Sequence, residues 1–325
     1  MGRRPSAFAA LVLVLSRLVA LALAALLAVR ALGLERGTLL ALLLGALPLT
    51  LLPSYAVLAA AAVLRRRRLA LIACGLVAGH LLVLAPALGA AQLPAGAGTA
   101  PRLRVVTANL YVLNPDPAAA GRALRDLQPD VLVVPELSPD GLAGLRASGL
   151  LDDLAHSVVE LGTRDETVGL FSRLPLADVS THPVGGRQLP RATVSVDGVD
   201  VRLLTAHPLP PLSVLEPIWR ASLADLAQEA EDEQLPVVVA GDLNSDRDHA
   251  AFRRLLDAGL HDAHDAVGRG LARTFPAGLP VLQLDHVLVR DGAGGRITPL
   301  QVREVRVPGS DHLGVLADLA VQPPG

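Results

Sequence analysis

The first 90 residues differ from the rest of the chain in their pattern of apolar and polar positions. Three long apolar stretches fill this part, at about residues 7–32, 38–64 and 69–90. Each is close to or above the ~20 residues that a helix needs to cross the hydrocarbon core of a bilayer. The pattern predicts three transmembrane helices, the second kinked at Pro48 and Pro53. A cleaved signal peptide is the alternative for the first stretch, although its apolar core would span only ~7–15 residues.

Arginine residues next to these stretches predict how the chain crosses the membrane. Arg3 and Arg4 precede the first stretch, and a run of four arginines at 65–68 separates the second from the third. Because cytoplasmic loops carry an excess of basic residues, both positions are predicted to face the cytoplasm of a multi-pass plasma-membrane protein. Three crossings then place all residues after 90 on the extracytoplasmic side. The four-arginine run is also compatible with a patch that binds lipid phosphates or nucleic acid.

A linker of small residues at 91–101 leads into a region where short β-rich runs alternate with helix-like segments. Apolar periods of about two and about 3.6 residues distinguish the strands from the helices. This alternation predicts an α/β layered domain over residues 102–325. The predicted strands are 103–110, 130–135, 192–196, 201–206, 237–240, 284–289, 302–307 and 314–320, and the predicted helices are 117–127, 217–233 and 248–258.

Ionisable and amide side chains follow these apolar strands closely. Open α/β sheets place their chemistry just outside the strand ends, so side chains at such positions are candidates for one shared site. The candidates, in chain order, are Asn109, Glu136, His207, Asp242, Asn244, Asp285, Asp311 and His312.

The most specific part of this series is Gly-Asp-Leu-Asn-Ser at 241–245, followed by Ser-Asp-His at 310–312. With Asn109 and Glu136 ahead of it, the series resembles the endonuclease/exonuclease/phosphatase superfamily. That superfamily includes apurinic endonucleases, pancreatic-type deoxyribonucleases, neutral sphingomyelinases and inositol polyphosphate 5-phosphatases. The resemblance implies a four-layered α/β sandwich of two facing mixed sheets flanked by helices, and a Mg²⁺-dependent phosphoester hydrolase. The apolar stretches make the chain similar to a membrane-anchored bacterial branch that includes glycopeptide-resistance-associated membrane proteins.

Three of these residues are implied as metal ligands, namely Asn109, Glu136 and Asp311. Hydrolysis of a phosphate ester benefits from a hard cation that neutralises the phosphoryl oxygens. Mg²⁺ prefers one or two carboxylates with further oxygen ligands, which Glu136 and Asn109 supply. Asp311 is a further ligand, Mn²⁺ is the alternative ion, and the number of ions stays open.

The resemblance implies catalytic roles for five more residues. Asp242 would orient or deprotonate the attacking water, and Asn244 would hold a phosphoryl oxygen. His312, oriented by Asp285, would bind phosphate as an imidazolium or act as an acid or base, and His207 would be a second donor. The role of general base is assigned to Asp242 and His312 jointly. Each of these residues alone also has a purely structural interpretation, since a carboxylate after a strand commonly caps a helix.

Other polar residues are weaker candidates. The run at 261–265, His-Asp-Ala-His-Asp, looks like a metal cluster but is interpreted as a solvated loop, with a substrate or second-metal contact as the alternative. The loop at 274–276 and the residues Arg164 and Asp165 are weaker candidates for contacts with substrate or metal. Four histidines are assigned to the surface or to the surroundings of the site, namely His156, His182, His249 and His286.

Composition supports a membrane protein and limits the class of substrate. The chain is 51% hydrophobic with a mean hydropathy of +0.46, which is too apolar for an ordinary soluble enzyme. The formal charge of the residues from 101 onward is −10, and only five aromatic residues lie there. Because nucleic-acid-binding surfaces need basic side chains and aromatic platforms, nucleic acid is disfavoured, although a local basic groove stays open. The single cysteine, Cys74, excludes a disulfide within the chain.

The short linker keeps the candidate site near the bilayer, since eleven flexible residues reach only ~20 Å root-mean-square. We therefore expect an extracytoplasmic phosphatase or phosphodiesterase that acts on a lipid phosphate or a lipid-linked envelope precursor. An extracytoplasmic nuclease is the second hypothesis, and a non-catalytic domain that binds an envelope partner is the third. The sequence does not indicate the oligomeric state.

Overall fold

Apolar helices form the N-terminal part of the chain in the computed structural model, which describes residues 6–160 and 167–324. Two of them, α1 and α5, are each long and apolar enough to cross a membrane. Helix α1 begins after Ser6, whose hydroxyl oxygen accepts a hydrogen bond from the Ala9 amide, and ends at Gly33 in the left-handed conformation. The helices are α1 (Ala7–Leu32), α2 (Thr38–Gly45), α3 (Leu47–Thr50), α4 (Pro53–Val63) and α5 (Arg67–Leu88).

The second apolar stretch is not one continuous helix. Helix α2 and the segment formed by α3 and α4 meet at an angle of 85°. Proline lacks an amide hydrogen and is tolerated in the first turn of a helix, where Pro48 and Pro53 lie. The predicted kink is therefore observed as a break, and the segment is a broken span or a re-entrant loop. The described residues contain two candidate spans, or three if this pair crosses the membrane.

The apolar helices belong to a unit of their own that also includes Asp248–Ala250, and the remaining residues from Ala87 onward form a second unit. The helical unit has its own apolar core, in which Leu44, Leu47 and Ala61 are fully buried. Its outward-facing side chains are mostly apolar as well, as expected for helices that face lipid.

From residue 102 onward, strands and helices alternate along the chain. The strands are β1 (Arg102–Thr107), β2 (Val131–Pro135), β3 (His156–Glu160), β4 (Val168–Ser172), β5 (Ala177–Val184), β6 (Arg187–Val196), β7 (Val199–Ala206), β8 (Val237–Asp242), β9 (His261–Asp262), β10 (Asp285–Arg290), β11 (Arg296–Arg306) and β12 (Leu313–Gln322). The helices are α6 (Pro117–Arg125), α7 (Pro139–Ala147), α8 (Leu150–Asp153), α9 (Glu216–Asp232), α10 (Ala250–Asp257) and α11 (Ala263–Ala266).

The strands form two six-stranded mixed sheets. The first has the order β11-β12-β1-β2-β4-β3, and the second has the order β5-β6-β7-β8-β10-β9. Neighbouring strands are antiparallel except for β1 with β2 and β7 with β8, which are parallel. Each parallel pair is joined by a crossover that contains a helix, α6 in the first sheet and α9 in the second.

The two sheets face each other across an apolar core. Alternate residues of the strands point inward, including Val105 and Val133 of the first sheet and Leu203, Val238 and Val287 of the second. The other residues of the first sheet pack against α6, α7 and α8, and those of the second pack against α9 and α10. The layers are therefore helix, sheet, sheet and helix, which confirms the predicted four-layered α/β sandwich.

Seven elements are not predicted by the sequence pattern, namely β3, β4, β5, β9, α7, α8 and α11. The edge strand β5 carries mostly exposed side chains, so it lacks the apolar alternation that marks a half-buried strand. Helix α7 contains Gly141 and Gly144, which lower helix propensity. A Cβ atom at Gly144 would lie 2.6 Å from the Pro117 side chain, so this glycine allows α7 to pack closely against α6.

A buried ionic cluster occupies the region where the sequence predicts a solvated loop. Asp262 and His264 are almost fully buried, whereas His261 is exposed. Asp262 Oδ2 lies 2.7 Å from His286 Nδ1, and His264 Nε2 lies 3.2 Å from Glu304 Oε1. The loop prediction is therefore wrong for Asp262 and His264, because His286 and Glu304 provide charged partners that compensate their burial.

The pKa values in this cluster link its charge to the stability of the fold. Burial lowers the pKa of His264, but the interactions with Asp262 and Glu304 outweigh burial and raise it to about 9. Burial raises the pKa of Glu304, but the hydrogen bond and the charge of His264 outweigh burial and lower it to about 2. A histidine with a raised pKa contributes its full stabilisation below its ordinary pKa of 6.5 and loses it as pH rises through about 9. The contribution of Glu304 is complete above 4.5 and is lost as pH falls toward about 2.

We expect His264 to contribute a decrease in the free energy of unfolding as pH rises from 6.5 to about 9, and His264→Gln to make the alkaline decrease of the chain smaller. The variant is also expected to be less stable by up to about 3 kcal/mol at neutral pH, since Asp262 then keeps only His286, and Glu304 only Arg269, as a charged partner among the described residues. Thermal unfolding of the full chain in detergent, followed across this pH range, measures both effects. The exposed His261→Gln is the matched control and should keep the wild-type curve. An alkaline decrease of wild-type size in His264→Gln would contradict the assignment.

Candidate active site

Side chains from both sheets meet at the edge where the parallel strands end. The inward-facing residues of β1, β7, β8 and β10 alternate with residues that face the helices. Continuing this alternation to the strand ends places Asn109, His207, Asp242 and Asp285 on the side between the sheets. Glu136 follows β2 in a left-handed conformation with a φ of 54°, and its carboxylate contacts Asn109.

Asn109 links carboxylates from the two sheets. Its side-chain nitrogen donates to Glu136 Oε1 over 2.9 Å and to Asp242 Oδ2 over 3.1 Å. Its side-chain oxygen accepts a hydrogen bond from the Tyr111 amide, and Glu136 Oε2 accepts one from the Val112 amide. Two acidic groups are thus held close together, an arrangement that favours a nearby positive charge.

The end of β8 requires a glycine. A Cβ atom at Gly241 would lie 1.8 Å from the Ala206 carbonyl oxygen, so only glycine allows β7 and β8 to approach this closely. Asp242 follows, and its Oδ1 accepts a hydrogen bond from the Asn244 amide over 2.8 Å. Asn244 has a φ of 48°, and its side-chain nitrogen donates to the Pro208 carbonyl oxygen over 3.0 Å. These contacts fix the Asp242 carboxylate and the loop after His207 relative to each other.

His312 lies between two carboxylates of the second sheet. Its Nδ1 is 2.8 Å from Asp285 Oδ2, and its Nε2 is 3.7 Å from Asp242 Oδ2. Burial lowers the pKa of His312, but the charges of Asp285 and Asp242 outweigh it and raise the pKa to about 10. Burial raises the pKa of Asp242 to about 7, although the charge of His312 opposes this. The site therefore contains an imidazolium cation next to a carboxyl group that titrates near neutral pH.

His207 has the opposite electrostatic character. Its Nε2 lies 3.9 Å from Glu136 Oε1, and burial lowers the pKa of His207 to about 3, with help from the charges of Arg187 and His312. The Arg187 guanidinium donates to the His207 carbonyl oxygen and lies at the start of β6. His207 is thus a neutral imidazole at neutral pH, which leaves one ring nitrogen available as a ligand or acceptor.

The donor atoms of this cluster fit a divalent cation. Glu136, His207 and Asp242 each offer a ligand atom within 4.8 Å of the other two, as do Asp242, Asp285 and His312. Within residues 6–160 and 167–324, His207 Nδ1 and Asp285 Oδ1 are buried and have no hydrogen-bond partner. The two carboxylates and the neutral imidazole of the first set suit a divalent ion. The second set contains the positively charged His312, which disfavours binding of a divalent ion there. The first set is therefore the better candidate for a metal site.

Seven of the eight predicted site residues contribute to this cluster, and Asp311 does not. The Asp311 side chain is exposed and belongs to neither set of ligand atoms among the described residues. Its backbone oxygen accepts a hydrogen bond from the Ala277 amide. The role of Asp311 as a metal ligand stays a prediction. Arg164 and Asp165 lie outside the described residues.

The structure also shows residues near the site that have no recognisable sequence signal as positioning groups. Ser310 donates from its hydroxyl to the Asn109 carbonyl oxygen over 2.7 Å and accepts from the His312 amide. The Thr274 hydroxyl oxygen accepts from the Asp285 amide over 3.2 Å, so the loop at 274–276 does border the site. Arg187 follows two glycines in a hairpin, where an arginine is ordinary. Of the four histidines assigned to the surface or surroundings, His182, His249 and His286 are buried and His156 is partly exposed.

The fold and the arrangement of this site define a class of protein. The model of the endonuclease/exonuclease/phosphatase family matches residues 106–312, and the chain belongs to this family. Enzymes of this superfamily hydrolyse phosphoester bonds and depend on divalent metal ions. The resemblance to this superfamily that the sequence indicates is therefore confirmed.

Two kinds of relatives are similar to this chain. The YbhP proteins of Escherichia coli (strain K12) and Shigella flexneri are each 34% identical over 142 residues, which is 39% of this chain. The chain spans 55% of the length of these relatives. Among solved structures, D. rerio TDP2 complexed with single-strand DNA product has a TM-score of 0.57 and 19% identity, covering 67% of this chain and 98% of that chain. An endonuclease/exonuclease/phosphatase from Beutenbergia cavernae DSM 12333 has a TM-score of 0.55 and 23% identity, covering 68% and 72%.

Asp285→Asn is expected to reduce kcat by about 100-fold, because His312 then loses the charge that orients it and holds its proton. The pKa of His312 should fall, so the alkaline limb of the pH profile of kcat/KM should move to lower pH. Initial rates with a soluble phosphoester over a range of pH measure both effects. Asp291→Asn, on the surface beside Arg296, is the control. A reduced rate with an unshifted alkaline limb would show that Asp285 does not act through His312.

Proposed function

We propose that the chain is a membrane-anchored, metal-dependent phosphoester hydrolase that acts on a lipid phosphate or a lipid-linked envelope precursor at an extracytoplasmic active site. The observation that carries the hydrolase proposal is the convergence of Glu136, Asp242 and His312 from two sheets on one cluster. Family membership supports the class of reaction. The apolar helices α1 and α5 support the membrane anchor.

In this proposal Glu136 is the principal metal ligand, with Asn109 beside it and Asp242 and His207 facing the same position. When bound, Mg²⁺ or Mn²⁺ would neutralise charge on the phosphoryl oxygens. The Asn109 side chain holds Glu136 and Asp242 in place for this role. Because its amide group can rotate to present oxygen or nitrogen, Asn109 also suits direct ligation.

The remaining residues act on water and on the phosphoryl group. Asp242 orients the attacking water and accepts its proton, which its pKa near 7 allows. His312, kept protonated and oriented by Asp285, donates to a phosphoryl oxygen where negative charge develops. His207, whose Nε2 lies 3.9 Å from Glu136 Oε1, is a second contact for phosphate or the leaving oxygen. Asn244 contributes a further polar contact and holds the loop at Pro208.

Charge and tethering support a lipid substrate over nucleic acid. The residues from 101 onward carry a net charge of −10, which opposes the approach of a long polyanion. The linker at 91–101 limits the site to the region near the bilayer, where lipid phosphates are concentrated. A nuclease is the second candidate, because the structurally similar D. rerio TDP2 was solved with a single-strand DNA product.

The full chain in detergent, supplied with Mg²⁺ or with a chelator, tests these candidates against each other. The substrates are vesicles that contain phosphatidic acid or a polyprenyl phosphate, and plasmid and single-stranded DNA. We expect Mg²⁺-dependent release of phosphate or headgroup from a vesicle lipid and no DNA cleavage. DNA cleavage that is lost in Asp242→Asn, without lipid turnover, would support the nuclease. Absence of both turnover and metal binding would support a non-catalytic binding domain.

The path of helices α2 to α4 decides the side of the membrane on which the active site lies. If this broken pair crosses the bilayer, three crossings separate the N-terminus from the catalytic residues, and if it is re-entrant only two do. We propose three crossings because the arginines at 3–4 and 65–68 then both face the cytoplasm. An alkaline phosphatase fused to the C-terminus, which is active only outside the cytoplasm, should be active. If the phosphatase fusion is inactive, and a reporter at the same position that fluoresces only in the cytoplasm is fluorescent, the active site lies on the cytoplasmic side.

A further inference from the structure

Three loop segments next to the active site contain no charged residue. They are residues 110–115, 208–215 and 275–284, and we call them together the apolar rim. None of their 24 residues is charged, whereas more than one residue in five is charged from residue 101 onward. A surface that binds a polyanion would carry arginine or lysine at such positions. The composition of the rim therefore points to an apolar surface around a phosphate site.

Each segment of the apolar rim is joined directly to a site residue. The first segment donates a backbone amide to a metal-ligand candidate, the second accepts a hydrogen bond from the loop after β8, and the third packs an aromatic ring against the imidazolium. These contacts place all three segments at the mouth of the same site. The pairs are Val112 with Glu136 over 3.1 Å, Pro208 with Asn244 over 3.0 Å, and Phe275 with His312 over 4.7 Å between ring centroids.

The rim also concentrates exposed apolar side chains. Seven large hydrophobic residues are exposed among the described residues between 102 and 324, and four of them lie on the rim. Single exposed hydrophobic residues are ordinary, but a group around a functional site marks an interaction surface. The four are Leu113, Leu212, Val214 and Leu279, with exposed fractions of 71%, 45%, 82% and 75%.

We propose that the apolar rim inserts into the lipid bilayer that anchors the chain, so that a lipid phosphate reaches the site while its acyl chains stay in apolar surroundings. The membrane is the favoured occupant because helices α1 and α5 are long enough to span it, and the segment at 91–101 that follows them has only eleven residues, with Ala91 and Ala95 hydrogen-bonded to Ala266 and Gln322. Aliphatic side chains without charge suit the boundary between headgroups and acyl chains. The choice of a lipid as substrate rests on the proposed function, whereas insertion of the rim does not.

Fluorescent labelling of the full chain tests insertion without measuring activity. In a Cys74→Ala background, single cysteines replace Val214 or Leu279 on the rim, and Val179 serves as the control. Val179 is also an exposed aliphatic residue, at 51%, but it lies on the edge strand β5, outside the rim. Each cysteine carries an environment-sensitive dye, and the protein is reconstituted in nanodiscs of phosphatidylcholine and phosphatidylglycerol. A second set of nanodiscs contains lipid with a nitroxide quencher on the acyl chain.

We expect blue-shifted emission and quenching by the nitroxide lipid at positions 214 and 279, and neither effect at position 179. Emission at 214 and 279 that stays unquenched, as at 179, would overturn the proposal. A blue shift without quenching would mean that protein covers the rim, either a second copy of this chain or a partner, and would overturn it as well. Quenching of equal size at positions 179, 214 and 279 would show that the dye enters the bilayer wherever it is attached. This result would also contradict insertion of the apolar rim.

A second measurement connects the rim with the substrate. The double variant Val214→Asp/Leu279→Asp is compared with Val179→Asp for hydrolysis of phosphatidic acid in vesicles and of water-soluble p-nitrophenyl phosphate. We expect the ratio of vesicle to soluble turnover to fall about tenfold in the double variant only, since charge weakens insertion into lipid. An unchanged ratio would contradict the role of the rim in presenting lipid. If wild type hydrolyses no lipid at all, the proposed function fails, and the quenching result still decides whether the rim inserts.

Discussion

Replacing Asp242 by asparagine is expected to reduce the turnover of phosphoester substrates by about 1,000-fold while leaving the fold intact. The Asp242 carboxylate lies 3.7 Å from His312 Nε2, and burial raises the pKa of Asp242 to about 7, so it can change protonation state at neutral pH. Asparagine has nearly the same shape and retains the oxygen that accepts the Asn244 amide. The loss should therefore appear in kcat, because the variant still binds substrate but lacks the group that accepts the proton.

Steady-state rates of the full chain with Mg²⁺ measure this effect, and thermal unfolding verifies that the variant is folded. Asp257→Asn is the matched control, because Asp257 is an exposed carboxylate at the end of α10. The control should have the wild-type rate. A rate for Asp242→Asn within a few fold of wild type would exclude Asp242 from the reaction.

Replacing Glu136 by glutamine is expected to weaken divalent-ion binding by at least about 100-fold, since even second-sphere changes at metal sites cost 10- to 100-fold. Glu136 is the carboxylate that Asn109 and the Val112 amide hold at the edge of the first sheet. Glutamine keeps the size of the side chain but removes its negative charge, which is the main attraction for the ion. Titration of the metal-free full chain with Mn²⁺, followed by calorimetry or by electron paramagnetic resonance, measures the affinity directly.

The comparison variant for this experiment is Asp311→Asn. The sequence predicts Asp311 as a metal ligand, but its side chain is exposed and lies outside both sets of ligand atoms. We expect the affinity of the Asp311→Asn variant for Mn²⁺ to match that of the wild-type protein. An affinity lost in Asp311→Asn and retained in Glu136→Gln would place the ion elsewhere and would require a new assignment of the ligands.

Strand ends account for most of what the sequence could predict about the site. Residues such as Asn109 and Asp242 follow short apolar runs, and the alternation of a strand determines on which side their side chains lie. The contacts that position these residues are harder to predict, because they involve backbone atoms and hydroxyl groups distant in sequence. Thr274 and Ser310 are examples, and neither residue type is distinctive in a loop.

Two of the differences between the sequence prediction and the structure share a physical reason. The edge strand β5 pairs on one side only, with β6, so its side chains need no apolar alternation. Asp262 and His264 look like loop residues because their charged partners, His286 and Glu304, come from distant strands. In each case a tertiary contact supplies the stabilisation that a local pattern does not show.

The site is divided between the two sheets. Asn109, Glu136 and His312 belong to the first sheet, and His207, Asp242 and Asp285 belong to the second, yet none of the strands described here pairs across the gap. The separation of these two half-sites is therefore determined by the thickness of the apolar layer between the sheets, where residues such as Val105 and Val238 pack. A single methylene added or removed in that layer would alter the spacing between opposing functional groups. Apolar side chains between the sheets, which do not contact the substrate, would thereby affect the rate of phosphoester hydrolysis.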